Sequence, residues 1–521
     1  MSDERGEGPE PVDCASGTGA GPRPGRSLAR ALAIAVVLAA LLHGAGLAFV
    51  PVPADPLEGA FLTPDSPDWL AAGLSLAGYD TTHNDRPPLL PALYALLYAA
   101  GLERAVSLLH PAVFFLAAWA AASLARRVSA DPLAGLAAAL LVLLLGKLGF
   151  VARYVMADLL AASLAALALA ALADLRTNPR AAPRFALLLV AAQAAQNVLP
   201  LLFPACLLFL VVERRSFPRR ALATAAAALV LSPILLAAVH LAIARAAGTP
   251  AYNLHVVYLG FLGAKGLLFY PLAALGLLGP LVPLGAAGLA RRAELDRGGR
   301  LLLGASVASV AVFFGFIYEW LAVRFLVFLA IPLAVLAAVE VLRLLRGPRP
   351  WAGWAVLAFH AVYGNLGHVD PFWPAVPLAP GTGVVAELEK LDPAHVQPWR
   401  LRVGTAPVDW VPKTLARPER LPPGVADGLF FSREENVELA RLGAAVRPAP
   451  GATGLLDPLH GVTNLYVASV AFRGPVKTFD PADGEIRFVL LRRGAARPEG
   501  FRTLGEGARF LLLERDVSGD H

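Results

Sequence analysis

Apolar stretches of about 20 residues recur along this chain from Ser27 to about Leu366, and no other feature restricts its fold as strongly. A helix of that length crosses the ~30 Å of hydrocarbon in a bilayer with its backbone N–H and C=O groups satisfied internally. Composition agrees. Of the 521 residues, 57% are hydrophobic and 16% charged, against ~45–50% and ~25% in soluble domains, and mean hydropathy is +0.60. The chain therefore reads as a polytopic α-helical membrane protein. A net charge of +6 and a pI near 9.5 invite a nucleic-acid reading, but the arginines sit in short clusters between apolar runs, which is the pattern of cytoplasmic loops. Cys14 lies in a polar tail and Cys206 in an apolar run, so neither a disulfide framework nor a cysteine metal site is available.

Residues 1–27 are rich in Gly, Pro, Glu and Arg, lack apolar periodicity, and read as a disordered cytoplasmic tail. The run that follows is longer than the core of a signal peptide, the competing reading, and is taken as the first span. Short cytoplasmic loops accumulate Lys and Arg. Putting Arg126-Arg127, the Arg176/Arg180/Arg184 stretch, 213–220, 291–300 and 343–350 on one side requires an even number of crossings between successive clusters. Spans near 31–50, 105–125, 131–150, 158–175, 185–198, 199–212, 220–246, 268–290, 301–317, 321–345 and 351–366 meet that condition, about eleven helices. The short apolar segment 87–102, opened by two prolines, then lies on the outer surface, and 185–198 with 199–212 are expected to form a bent pair.

Two loops face outward by this count, 51–104 and 248–266, and the membrane domain covers 28–366. Residues 367–521 lose the long apolar runs and gain strand-like segments such as EIRFVLLRR and ARFLLLERD. They predict a small extracytoplasmic α/β domain. Within it, Ser432 and Glu435 read as a capping box opening a helix that Gly443 closes.

Charge is concentrated in the first outer loop, which carries Asp65, Asp68, Asp80, His83, Asp85 and Arg86. Three further clusters fall on the same side: Arg153 with Asp158, Glu319 with Arg324, and His255 with Lys265. Basic residues are depleted on that side, so Arg86, Arg153, Lys265 and Arg324 call for carboxylate partners or an anionic ligand. Asp85 adjoins Arg86, and Asp158 and Glu319 each stand five residues from an arginine, so interfacial ion pairs and snorkelling are the plain alternative. Trp69, Tyr79, Tyr94, Tyr98 and Trp320 fit either a sugar-stacking surface or an interfacial aromatic belt.

The order of these pieces resembles a known group. Asp65-Ser66 opening a helix after the first span, Gly78-Tyr79 about a dozen residues on, and Asp85-Arg86-Pro87-Pro88 look like the first outer loop of GT-C glycosyltransferases. The nearest group contains the bacterial aminoarabinose transferases, the protein O-mannosyltransferases and the RgtA/B/C/D-like enzymes of lipopolysaccharide. ARYVMADLL resembles that group's Arg-x-x-x-x-Asp opening of the fourth helix, and VRFLVFLAIP its Arg-Tyr/Phe-x-x-x-x-x-Pro helix. The likeness covers about residues 28–345. It departs at Pro67 and Asp68-Trp69, where the relatives often carry Tyr, and at Asp85, which is shorter than their glutamate.

The resemblance implies an inverting glycosyltransferase that moves a sugar from a polyprenyl-phosphate donor to a lipid, glycan or protein acceptor at the outer face of a bacterial inner membrane. No nucleotide cofactor is implied. Asp65 aligns with the catalytic base, with Asp68 one turn on as the alternative. Arg86, Arg324, Arg153 and Lys265 would take the donor phosphate, supported by Asp158 and Glu319. Asp85 and His255 correspond to ligands of a divalent metal. The rivals are a transporter or flippase of lipid-linked sugars, an O-antigen ligase or polymerase, and a noncatalytic scaffold. Scarce mid-depth charge and the absence of repeated halves count against transport. The concentration of acids after the first span counts against the ligase.

Overall fold

The computed structural model describes residues 24–49, 55–59, 65–83, 86–196, 199–247, 264–291, 295–317, 320–365, 374–377, 433–447, 451–456 and 462–516. The expected tail lies outside these residues except for its last four positions, which begin the first helix.

The membrane part is built from α1 (Pro24–Phe49), α2 (Pro56–Gly59), α3 (Ser66–Leu76), α4 (Leu89–Ala99), α5 (Glu103–Val128), α6 (Ala134–Leu144), α7 (Gly146–Val151) and α8 (Asp158–Asp174). There follow α9 (Ala182–Ala195), α10 (Leu199–Val212), α11 (Arg219–Ala247), α12 (Ala264–Leu278), α13 (Leu281–Ala290), α14 (Arg297–Val312), α15 (Val327–Arg346) and α16 (Pro350–Asn365). Among the described residues, five stretches are long and apolar enough to cross a membrane: Arg26–Ala45, Glu103–Val128, Arg219–Val239, Arg297–Ile317 and Val323–Arg346. Large apolar side chains such as Ile34, Leu38, Ile234, Leu235 and Phe359 face outward, a surface compatible with lipid and costly in water. The protein is an integral membrane protein.

Helix α15 is almost wholly enclosed and packs on α5, α6, α8, α13 and α16. Lipid gives no hydrophobic drive to helix association, so close approach through small residues matters. Gly288 of α13 meets α15 so tightly that a Cβ there would overlap the Leu336 carbonyl.

The third predicted span is divided. α6 stops at Leu144 and α7 begins at Gly146, which would strand the last carbonyls of α6 in a region without water. All four are met: Leu141 by His360 Nε2 at 2.9 Å, Val142 by the Leu145 N–H at 3.1 Å, Leu143 by His43 Nε2 at 2.6 Å, and Leu144 by Asn365 Nδ2 at 3.4 Å. The break delivers the chain into the turn 152–157, which reaches the outer loop.

The arginine clusters lie at one end of the helices, as the parity argument requires. Arg127 pairs with Asp174 at 2.8 Å and Arg176 with Asp296 at 2.7 Å, and Arg346 grips Asp131 through both oxygens. α5, α8 and α15 all end there. They begin at the opposite end, where Glu103, Asp158 and Arg324 stand.

Beyond the bundle, β1 (Trp320–Ala322) pairs antiparallel with β2 (Pro374–Pro377) just before Arg324. The C-terminal unit contains α17 (Arg433–Val446), β3 (Ala452–Leu455), α18 (Val462–Phe472), β4 (Val476–Thr478), β5 (Ile486–Arg492), β6 (Phe501–Glu506) and β7 (Phe510–Arg515). Its sheet runs in the order β4-β3-β5-β7-β6, with β3 parallel to β4 and β5, and β7 antiparallel to β5 and β6. β5 and β7 are the two segments read as strands from sequence, and Leu490 faces Leu512 in their register.

The expected capping box involves Ser432, and of its two residues only Glu435 is described. The Glu435 carboxylate receives Arg492 at 2.7 Å. Gly443 does not end the helix, which continues to Val446. A Cβ at 443 would overlap the Ala471 carbonyl of α18, so the glycine serves close packing rather than a C-cap.

Candidate active site

Asp65 occupies the N-cap position of α3, where an aspartate normally accepts from the N–H of the second or third helical residue. Pro67 stands in the first turn and has no N–H to offer, and the carboxylate makes no cap bond. It turns instead to two arginines. Arg324 Nη1 donates to Asp65 Oδ2 at 2.7 Å, and Arg86 Nη2 approaches Oδ1 at 3.4 Å. These partners are 259 and 21 residues away in sequence.

Asp68, one turn into α3, is fully buried and accepts from Arg86 Nε at 2.6 Å. The Arg86 guanidinium also lies 5.3 Å from the centre of the Trp69 ring. Arg86 is thus anchored from below by Asp68 while it reaches Asp65, whose side chain keeps 28% of its surface exposed. The contrast separates the two carboxylates: Asp65 is open to a ligand, and Asp68 is not.

Ser66 donates to the Val155 carbonyl at 2.8 Å, pinning α3 against the turn between α7 and α8. Met156 in that turn has its sulfur 3.9 Å from Arg324 Nη1. Arg324 sits in the tight turn Val323–Leu326, its guanidinium 5.0 Å from the Phe325 ring centre. Phe325 in turn stacks on Phe314 at 4.7 Å.

Burial by itself raises the Asp65 carboxyl, but the positive charges of Arg324 and Arg86 outweigh it and bring its pKa from 3.8 down to about 2. Asp158, at the head of α8, is 3% exposed and within electrostatic reach of Arg324, Asp65 and Arg86. Among the described residues its Oδ1 has no hydrogen-bond partner.

The structure therefore brings Asp65, Asp68, Arg86 and Arg324 into one contact network, with Asp158 beside it. Arg153 is buried in the adjoining turn. Lys265 lies in the first turn of α12. Glu319, Asp85 and His255 lie outside the described residues. Among the described residues no group of three or more His, Cys, Asp or Glu side chains could hold a metal ion. Three of the five aromatic residues depart from both expectations. Trp69, Tyr94 and Tyr98 are buried in the core, and the Tyr94 hydroxyl meets His110 Nε2 at 2.5 Å. Ser66 and Met156 contribute contacts that the sequence did not signal, as do the C-terminal residues that touch this loop.

No family model and no curated protein sequence matches the chain. Among solved structures, it superposes on the apo form of ArnT, the aminoarabinose transferase of Cupriavidus metallidurans, with a TM-score of 0.58 and 15% identity over 94% of this chain and 98% of that one. The same protein bound to undecaprenyl phosphate matches with a TM-score of 0.56 and 14% identity over the same shares. At such identity the likeness is one of fold, and it meets what the first outer loop led us to expect: this chain has the GT-C membrane fold of that aminoarabinose transferase.

Proposed function

We propose that the protein is an inverting glycosyltransferase that moves a sugar from a polyprenyl-phosphate donor to a lipid, glycan or protein acceptor. The observation that carries this reading is a partly exposed carboxylate held between two arginines that come from distant parts of the chain. The fold adds support, since the matched ArnT structure holds undecaprenyl phosphate.

In the proposed reaction the acceptor hydroxyl attacks the anomeric carbon and gives its proton to Asp65. The bond between that carbon and the phosphate oxygen breaks as the new carbon–oxygen bond forms. The electron pair leaves on the phosphate, whose charge is met by Arg324 and Arg86 in a site poor in water. One displacement inverts the configuration and requires no covalent intermediate. Asp68 orients Arg86. Arg153 and Lys265 add positive charge on the same face, and Asp158 and Glu319 support the arginines. Asp85 and His255 are the residues that would hold a divalent metal.

The positive-inside pattern supports a membrane domain over 28–366 with the tail 1–27 cytoplasmic, and with the site and the domain 367–521 outside a bacterial inner membrane. Nothing among the described residues favours the transporter reading. The test is a lipid and glycan profile of cells with and without the gene, complemented by wild type or by D65N. A sugar lost on deletion and restored by wild type alone supports the proposal. Restoration by D65N removes Asp65 as the base.

A further inference from the structure

The reaction above leaves the C-terminal unit without a task, yet its described residues meet the loop carrying Asp65 and Arg86 at three places. Arg447, just after α17, pairs with Asp55 at 2.5 Å, and Asp55 also accepts the Leu57 N–H at 2.9 Å to start α2. Thr82 is held by three hydrogen bonds, two of them through its hydroxyl. Its N–H donates to Ser469 Oγ at 2.7 Å, its hydroxyl donates to the Val476 carbonyl at 3.0 Å, and its Oγ1 accepts the Val476 N–H at 2.8 Å. Ser469 is fixed in turn by donating to the Gly474 carbonyl at 2.7 Å.

The third contact is Arg473, in the turn between α18 and β4. Its φ of 53° lies in the left-handed region that favours glycine. A strained backbone persists where the surroundings over-determine it, and here the side chain does so. The guanidinium pairs with Glu103, the first residue of α5, at 2.5 Å. It donates to the Tyr79 hydroxyl at 3.2 Å and lies 5.3 Å from that ring's centre. Tyr79 follows the end of the helix that Asp65 begins. Arg86 is four steps along the chain from Thr82, a tether of at most ~14 Å.

We infer that the C-terminal unit is a clamp that sets the spacing of Asp65 and Arg86, with Arg473 and Thr82 as its positioning residues. Arg473 ties the far end of the Asp65 helix to the start of the neighbouring span. Thr82 limits where Arg86 can reach. Both act through the loop, away from the reacting atoms. The inference gives the C-terminal unit a role in the transferase reading and rests on that reading for its consequence in turnover.

The test uses the full chain in lipid nanodiscs, with amide hydrogen exchange, undecaprenyl phosphate binding and melting measured on wild type, R473Q, T82V and the charge swap R473E/E103R. R473Q and T82V are expected to speed exchange in 76–86 at least about tenfold while the peptide 486–492 stays protected. Phosphate affinity is expected to fall about tenfold, the scale of one mispositioned charged contact. The swap should recover both. Lower melting with exchange and affinity unchanged overturns the clamp, as does a swap that restores neither. If R473Q does not fold, T82V decides alone: unchanged exchange in 76–86 overturns the inference. Wild type that transfers no sugar from any polyprenyl-phosphate donor defeats the functional reading, and the exchange measurements still decide the clamp.

Discussion

If Arg324 and Arg86 serve the donor phosphate, Asp65 competes with that phosphate for them, and removing its charge should move binding and turnover in opposite directions. The perturbation is D65N. The contact released is chiefly Arg324 Nη1 to Oδ2 at 2.7 Å, because Arg86 is only 3.4 Å from Oδ1 and keeps Asp68 at 2.6 Å. A charge-assisted hydrogen bond contributes about 1.5–3 kcal/mol, and a long, solvent-screened pair about 0–1 kcal/mol. With 28% of the Asp65 side chain exposed, screening leaves about 1.4–2 kcal/mol, or roughly 10- to 30-fold. D65N in nanodiscs should therefore bind undecaprenyl phosphate about tenfold or more tighter than wild type, by calorimetry or thermal shift. Its turnover should fall about 10²–10⁴-fold for want of a general base. Unchanged or weaker phosphate binding by D65N would refute the reasoning, because the arginines would then not be the phosphate's.

Three other outcomes follow from the same geometry. D68N removes the buried anchor of Arg86, so stability should drop by about 1–3 kcal/mol and phosphate affinity about tenfold, checked by melting and titration. G288L drives a side chain into the Leu336 carbonyl and should cost about 1–3 kcal/mol or more, read as melting in detergent. Acid unfolding should distinguish wild type from D65N. The folded-state pKa of Asp65 is depressed from 3.8 to about 2, so its contribution is present above the unfolded value and lost as pH falls through about 2. That contribution is at most about 2.5 kcal/mol, and D65N should lack its slope in this window.

The membrane architecture was legible because its cause is local. Apolar runs and arginine clusters are properties of short segments, and the parity of crossings between clusters placed Asp65, Arg86, Asp158 and Arg324 at one end before any contact was known. The pairing among them was not legible. Sequence neighbours suggested Asp85 for Arg86 and Glu319 for Arg324, whereas the described partners of these arginines include Asp65 and Asp68. Those contacts depend on a helix break at Leu145, a proline that removes a cap donor, and a turn between α7 and α8, features whose consequences appear only once helices pack. Gly443 misled for a related reason: a glycine after an apolar run reads as a C-cap, and only the neighbouring α18 shows that it makes room. Trp69, Tyr94 and Tyr98 read as belt or sugar platform because amphipathic rings suit an interface, but they fill the core beneath the outer loop. Arg473 carried no signal at all, since its strained backbone is invisible in the sequence.

The low pKa of Asp65 creates an apparent difficulty, because a carboxylate at about 2 is a poor proton acceptor. The same contacts resolve it. While no phosphate is bound, Arg324 and Arg86 neutralise the carboxylate and suppress its basicity. When donor phosphate draws the guanidiniums away and adds its own negative charge, both changes raise the Asp65 pKa. Basicity then appears when a sugar is in place to be attacked. The signature is in the pH profiles, because kcat/KM reports the free enzyme and kcat the complex. The acid limb of kcat/KM should stay near pH 2, while that of kcat should lie at least about one unit higher, the scale expected when an opposite charge within a few Å is withdrawn. Coincident limbs, or a kcat limb at the lower pH, would show that the arginines stay on Asp65 through the reaction and that another group takes the acceptor's proton.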